Sequence, residues 1–301
     1  MKAGFPDFQP IELEDQAFVE GILRRYEPET SELTFTNLYV WRPYYDVKWC
    51  MLGECLVLTE RAPDGSLYGL PPVGEGRVEA AVRLIEWLGE SGSARPRIER
   101  ADGALAEALA ARNGFETAPQ REHFDYVYRS RDLIELAGRK MHGKRNHWNR
   151  FQRRQDWEYV EIAGDVVYEC YELLSTWGNY KQCKENPGIR AECEATHESL
   201  DKLELLGLRA GAIRVGGKVE AFAIGELLNS KTAVIHFEKA NHKVKGLYAA
   251  IDQQFCEHEW RDVEWVNREQ DLGDEGLRRA KESYQPDHMV EKFRIETDGA
   301  Q

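Results

Sequence analysis

The run KTAVIHFEKA places His236 and Glu238 two residues apart. In a strand, that spacing sends both to one side and Ile235 and Phe237 to the other. A carboxylate at Glu238 can take a proton from an attacking amine, directly or through water. It can equally form an ion pair with Lys239 or Arg268. In NREQDLGDEG, Arg268 can clamp a phosphate or carboxylate through two parallel hydrogen bonds. Asp271 can hold a substrate ammonium, with His236 beside it on the acceptor side. Turn capping is the plainer role for one of Asp271 and Asp274. In EKANHKVKGLYAAID a strand ends, a basic loop follows and Gly246 opens a helix. A helix start offers N–H groups and a positive dipole end, which attract phosphate. Lys243 and Lys245 would add charge there. Lys281 and Tyr284, three apart in a helical run, share a face; a core tyrosine beside a snorkelling lysine is the bland alternative.

The stretch GRKMHGKRNHWNRFQRR, from Gly138 to Arg154, holds seven Lys or Arg and no acid. The chain has 40 basic and 53 acidic residues, so without this stretch the bases number 33. As a helix it sets Lys144 and Trp148, and Arg145 and Asn149, on adjoining turns. The aromatics can anchor one face while Lys144 and Arg145 meet a polyanion, most simply the phosphates of a donor. Interleaved Trp, His and Asn also suit an RNA backbone with base stacking. Compensation of the acidic remainder is the alternative. The overall charge of -13 excludes generic attraction to nucleic acid or anionic membrane.

No apolar run approaches a membrane span, and the N-terminal residues lack an apolar signal core. The six cysteines form no CxxC pair and no cluster with zinc spacing, so no metal is expected. Free thiols in a reducing cytoplasm are the expectation.

These elements need a scaffold, and the chain supplies the same one twice. Residues 1–45 read as mostly helical, with Ser31 as an N-cap. VKWCMLGECLVLTE reads as a strand pair turning at Gly53, and RAPDGSLYGL as a turn between strands. Two helices and the strands RPRIER and HFDYVYR follow. Residues 131–206 read as helix-rich. A hairpin at Gly216-Gly217, a third strand, and helices alternating with strands lead to HMVEKFRIE. LAARNGFETAPQREHFDYVYR parallels LRRAKESYQPDHMVEKFRIE, each a helix, a Pro loop and an alternating strand. We therefore expect an internal duplication of one α/β unit with mixed sheets, as residues 1–130 and 131–301.

The order hairpin, strand, loop, helix, strand, helix, strand resembles the GCN5-related acetyltransferase fold. Two such units in one chain resemble the Fem-type aminoacyltransferases and the phosphatidylglycerol lysyltransferase C-terminal-like family. FTNLYVWRPYYDVKW, KRNHWNRF, HFEKANHKVKGLYAAIDQQF and VNREQDLGDEGLRRAKESYQP carry the match. The resemblance implies an acyl- or aminoacyltransferase with its active site in the second unit. Its donor would be a coenzyme A thioester or a charged tRNA, used as co-substrate with no tightly bound cofactor. Its acceptor would be an amine or hydroxyl on a small molecule, peptide or lipid head group. Tyr284 resembles the tyrosine that protonates a leaving thiolate, and Lys281 a lysine that steadies an oxyanion. In the first unit, Gly74 and Gly76 give only a weak phosphate loop. A non-catalytic module of the same fold, binding RNA or a nucleotide, is the alternative.

Overall fold

The computed structural model describes residues 3–154 and 156–298. The chain divides into two compact units, residues 1–125 with 290–301, and residues 126–289.

In the first unit, β1 (Gln9–Pro10), β2 (Lys48–Leu52), β3 (Cys55–Arg61), β4 (Leu67–Gly69), β5 (Arg97–Asp102), β6 (Phe115–Pro119) and β14 (Lys292–Thr297) form one sheet. Its order is β1-β2-β3-β4-β5-β14-β6, antiparallel except between β4 and β5. The helices are α1 (Gln16–Tyr26), α2 (Phe35–Val40), α3 (Arg42–Tyr45), α4 (Arg77–Glu90) and α5 (Gly103–Ala110). Helix α4 forms because Ala80, Ala81, Leu84, Ile85 and Leu88 recur at helical spacing. All five are buried, and each fully buried Leu or Ile contributes roughly 1.5–3 kcal/mol of transfer free energy. Helix α2 starts at Thr34, whose hydroxyl accepts from Asn37 N–H. The cap expected at Ser31 is absent because Ser31 donates to the buried Asp125 carboxylate instead. Gly74 serves packing: a Cβ there would lie 2.5 Å from the Glu54 carbonyl oxygen.

In the second unit, the strands are β7 (Asp125–Arg129), β8 (Trp157–Glu161), β9 (Arg209–Val215), β10 (Lys218–Leu227), β11 (Thr232–Ala240), β12 (Trp265–Asn267) and β13 (His288–Val290). Their order is β13-β7-β12-β11-β10-β9-β8, with β11 and β12 parallel. The helices are α6 (Ser130–Glu135), α7 (His142–Gln152), α8 (Val166–Tyr180), α9 (Pro187–Asp201), α10 (Leu247–Glu259) and α11 (Glu275–Glu282). Alanines 221, 223 and 233 leave room for α10 to lie on the sheet through Ala250, Ile251 and Phe255. The hairpin turns at Gly216 and Gly217, both at positive φ. Strand β8 lies within the stretch expected to be helix-rich; Trp157 and Tyr159 alternate about Glu158, and the strand pairs with β9.

The two sheets have the same plan of seven strands, and the chain shows the tandem acetyltransferase-like fold. The expected boundary after residue 130 needs correction, because the final strands are exchanged. β7 closes the second sheet, between β12 and β13, while β14 closes the first, between β5 and β6. Alternating side chains specify a strand and its buried face, but not which of two similar slots it fills. Tyr126 and Tyr128 of β7 are buried beside Val266 and Tyr284, and Ile295 of β14 is buried beside Ile98.

Candidate active site

Strand β11 pairs with β12 only through Thr232, Ala233 and Val234. From Ile235 onward that edge of β11 leaves β12, so the second sheet splays open beyond Asn267. A bulge at His236 coincides with the opening. Phe237 pairs with Ile224 and Ile235 with Gly225, leaving His236 as the extra residue. The bulge resets the alternation. Ile235 packs in the core with α10, whereas Phe237 lies near Lys239. Ile235 and Phe237 therefore do not share a face, because simple alternation fails at an inserted residue.

Glu238 and Arg268 meet in this opening. Arg268 Nη2 donates to Glu238 Oε2 at 2.9 Å, and Arg268 Nη1 lies 3.1 Å from Asp252 Oδ1 of α10. The second contact lacks hydrogen-bond geometry. Arg268 Nη1 is thus buried without a hydrogen bond, and the Tyr284 hydroxyl is the neighbour that can donate to the buried Asp252 carboxyl. Burial pushes the Asp252 carboxyl up to about 6, with Arg268 opposing and Glu238 adding. Arg268 stays charged, because Asp252 and Glu238 outweigh its burial. Lys144 of α7 sets its Nζ 3.7 Å from the Tyr284 ring centroid. Burial, then the charge of Arg268, lowers Lys144 to about 8. Arg268 also covers the Tyr284 ring at 4.7 Å. Burial and the Asp252 charge raise the Tyr284 phenol well above its ordinary value, so it keeps its proton. Glu238, Arg268, Asp252, Lys144 and Tyr284 form one cluster.

The other sequence-derived candidates are used differently. Lys281 donates to the backbone carbonyls of Arg268 and Glu269, bracing the segment that carries Arg268. Helix α11 ends at Glu282, so Lys281 and Tyr284 do not present a common helical face. His236 is buried between two carboxylates: Nε2 lies 2.8 Å from Glu226 and Nδ1 2.9 Å from Glu269. Those carboxylates outweigh burial and raise His236 to about 9, so it is an imidazolium strut at neutral pH. Asp271 accepts from Arg278, from Tyr126 and from Gly273 N–H, which hold its carboxyl well below the usual range despite burial. These bonds fix the turn before α11, and Asp274 caps that helix. Arg145 donates to the carbonyls of Leu136 and Gly138 and closes the end of α6.

Helix α7 anchors through Trp148 and Phe151, which pack on Trp157. Its Arg150 and the following Arg153 face solvent. At the start of α10, Gly246 has φ +84° and its Cβ position lies 2.7 Å from the His147 carbonyl oxygen, so this helix start and α7 touch where only glycine fits. Lys243 and Lys245 beside it are exposed. Asp252 is the member that sequence reasoning missed. Its signal was an acid flanked by Ala249, Ala250, Ile251 and Phe255 on a helix otherwise destined for burial.

The model of the family described as phosphatidylglycerol lysyltransferase, C-terminal, matches residues 23–296. A conserved protein of unknown function from Bacteroides thetaiotaomicron is 32% identical, with a TM-score of 0.90, covering 97% of this chain and 99% of that one. The C-terminal domain of a putative lysylphosphatidylglycerol synthetase from Agrobacterium fabrum is 15% identical, with a TM-score of 0.69 and coverage of 95% and 93%. A tandem GNAT protein from the clavulanic acid biosynthesis pathway is 10% identical, with a TM-score of 0.50 and coverage of 98% of each chain. The last two likenesses establish the fold. An uncharacterized protein of Mycoplasmoides gallisepticum is 18% identical over 173 residues, and the match spans 55% of that protein's length. Family and fold together point to a transferase of the aminoacyl or GNAT type. Among the described residues, no helix is long and apolar enough to cross a membrane.

Proposed function

The chain belongs to the phosphatidylglycerol lysyltransferase C-terminal family, and from that premise we propose that it transfers an acyl or aminoacyl group in the opening beside β11. The donor is an acyl-CoA or an aminoacyl-tRNA, and the acceptor an amine or hydroxyl. The observation that carries this reading is the buried, unmatched polar cluster at the splayed strands. Arg268 Nη1 and at least one Asp252 oxygen have no hydrogen bond within the chain. Leaving such groups unpaired costs roughly 1–3 kcal/mol each, so a polar ligand that pairs them gains by binding.

In this reading Glu238 takes the proton of the attacking amine or hydroxyl. The nucleophile adds to the acyl carbonyl, and negative charge develops on its oxygen. Arg268 and Lys144 stabilise that charge in a partly dry site, where fixed cations act strongly. Tyr284 holds a proton that it can give to the departing group. Lys281 and His236 position the Arg268–Glu269 segment from behind. Lys243, Lys245 and the start of α10 suit the donor's phosphates.

The experiment incubates the purified chain with radiolabelled aminoacyl-tRNAs and acyl-CoA thioesters, each with amine and hydroxyl acceptors, and follows label transfer. Glu238→Gln should lower turnover by about 10²–10³-fold with little loss of stability. Its defect should shrink as pH rises and more acceptor amine is already deprotonated. Full turnover in Glu238→Gln and Arg268→Lys would place the chemistry elsewhere. No consumption of any donor would remove the transferase reading of this site.

A further inference from the structure

The thiols of Cys183 and Cys193 meet over a single glycine. A Cβ built on Gly178 would lie 3.3 Å from Cys183 Sγ and 3.1 Å from Cys193 Sγ. The thiols are close enough for Cys183 to raise the Cys193 thiol. Cys183 stands in the turn after α8, and Cys193 in the second turn of α9. Both are partly exposed, whereas Cys50, Cys55, Cys170 and Cys256 are buried. Both also line a cavity of about 520 Å³ between α8 and α9, with Tyr171, Leu174, Lys184 and Lys202. That volume suits a small molecule; Lys184 and Lys202 stand there with Glu194, Glu198 and Asp201, and Lys202 pairs with Glu198. Among the described residues, no group of three or more His, Cys, Asp or Glu could hold a metal, so ligation does not account for the pair.

We propose that Cys183 and Cys193 form a reversible dithiol–disulfide couple, oxidised by exchange with a small disulfide of the glutathione class that enters the α8–α9 cavity. Cys183 releases its proton to solvent, and its thiolate attacks one sulfur of the small disulfide, expelling one small thiolate. Cys193 then releases its proton and attacks the Cys183 sulfur, expelling the second. Two protein thiols and one small disulfide become one protein disulfide and two small thiols. The order follows from Cys193, whose thiol is raised to about 11 by burial and by Cys183. That is about two units above an ordinary thiol and leaves about a hundredfold less thiolate. The accompanying gain in nucleophilicity recovers about tenfold, so Cys193 attacks about tenfold more slowly as first nucleophile. The couple adjoins Glu192, which pairs with Lys239 of β11 over the Trp177 ring.

The test equilibrates the full chain with glutathione and glutathione disulfide, blocks free thiols and maps unreduced tryptic peptides by mass spectrometry. A linked pair of residues 182–184 with residues 191–202 should grow with the proportion of disulfide and vanish on reduction. Cys193→Ser should trap one glutathione on Cys183. Cys183→Ser should form its adduct on Cys193 more slowly, because burial still holds that thiol up. Stable glutathione adducts on both cysteines of the unaltered chain, without the link, would overturn the couple. So would no link under excess disulfide, or a faster adduct in Cys183→Ser than in Cys193→Ser. The unaltered chain decides the matter without either variant, and the result is independent of transfer activity.

Discussion

Each unit buries an arginine among carboxylates, and the two solutions differ. In the first unit, Arg100 of β5 pairs with Glu60 and Tyr68, while Lys292 of β14 pairs with Glu32 and Asp125 at 2.6 and 2.7 Å. Lys292 and Asp125 are wholly buried, and Ser31 donates twice to Asp125. Burial pushes Glu32 up, but Lys292 and Arg100 outweigh it and hold the carboxyl below its ordinary range. In the second unit, Arg268 hydrogen-bonds Glu238 but only ion-pairs with Asp252, and Lys144 rests on a tyrosine ring. The first cluster places a cation on each carboxylate. The second shares one arginine between two carboxylates and leaves its Nη1 without a hydrogen bond beside an opening in the sheet. Matched charges hold a fold together, whereas an open donor held in place by the surrounding fold is what a substrate can complete.

The comparison breaks most readily at the arginines. Arg100→Met leaves the buried Glu60 carboxylate without its cation and should cost roughly 3–5 kcal/mol. Arg268→Met should cost less at pH 5.5, because Asp252 is already largely protonated there. Urea denaturation of both variants measures this, and equal losses would erase the distinction between the clusters. Next in size is His236→Gln. The imidazolium, raised from 6.5 to about 9, contributes stability that is full below pH 6.5 and lost as pH rises through 9. The variant should therefore lose about 3 kcal/mol at pH 6 and little at pH 10. A pH-independent loss would mean that packing alone holds this histidine. The smallest effect belongs to Lys144→Met. A partly exposed ammonium, disfavoured by burial and by Arg268, should cost under about 1 kcal/mol at pH 7 when removed. A loss above about 2 kcal/mol would make Lys144 a structural cation and return the second cluster to the class of the first.

The duplication, the hairpins at Gly53 and Gly216-Gly217 and the basic helix over residues 142–152 were legible because local periodicity and turn chemistry specify them. Glu238 and Arg268 could be picked from a strand pattern and its following loop. Asp252 could not, and Lys144 could be picked only as a basic helix residue: both reach the cluster from α10 and α7 by tertiary packing. The same limit governed Lys281, Arg145 and Asp271. Each is a charged residue at a plausible spacing, and each is occupied by a backbone carbonyl or an arginine that sequence neighbours do not reveal. The bulge at His236 left no composition signal, since it arises from the pairing of β11 with β10 rather than from β11 alone.

The exchange of β7 and β14 orders events during synthesis. The first unit's sheet lacks the strand between β5 and β6 until residue 297 has been made. At ordinary elongation rates, the 172 residues after position 125 take about ten to thirty seconds to emerge. Through that interval β5 and β6 have a vacant hydrogen-bonding edge between them, and Asp125 and Glu32 await the ammonium of Lys292. The nascent N-terminal half is thus an obligate client of β14, and a ribosome that stalls before the codons of that strand leaves a chain whose earliest-made region is the part left unfinished.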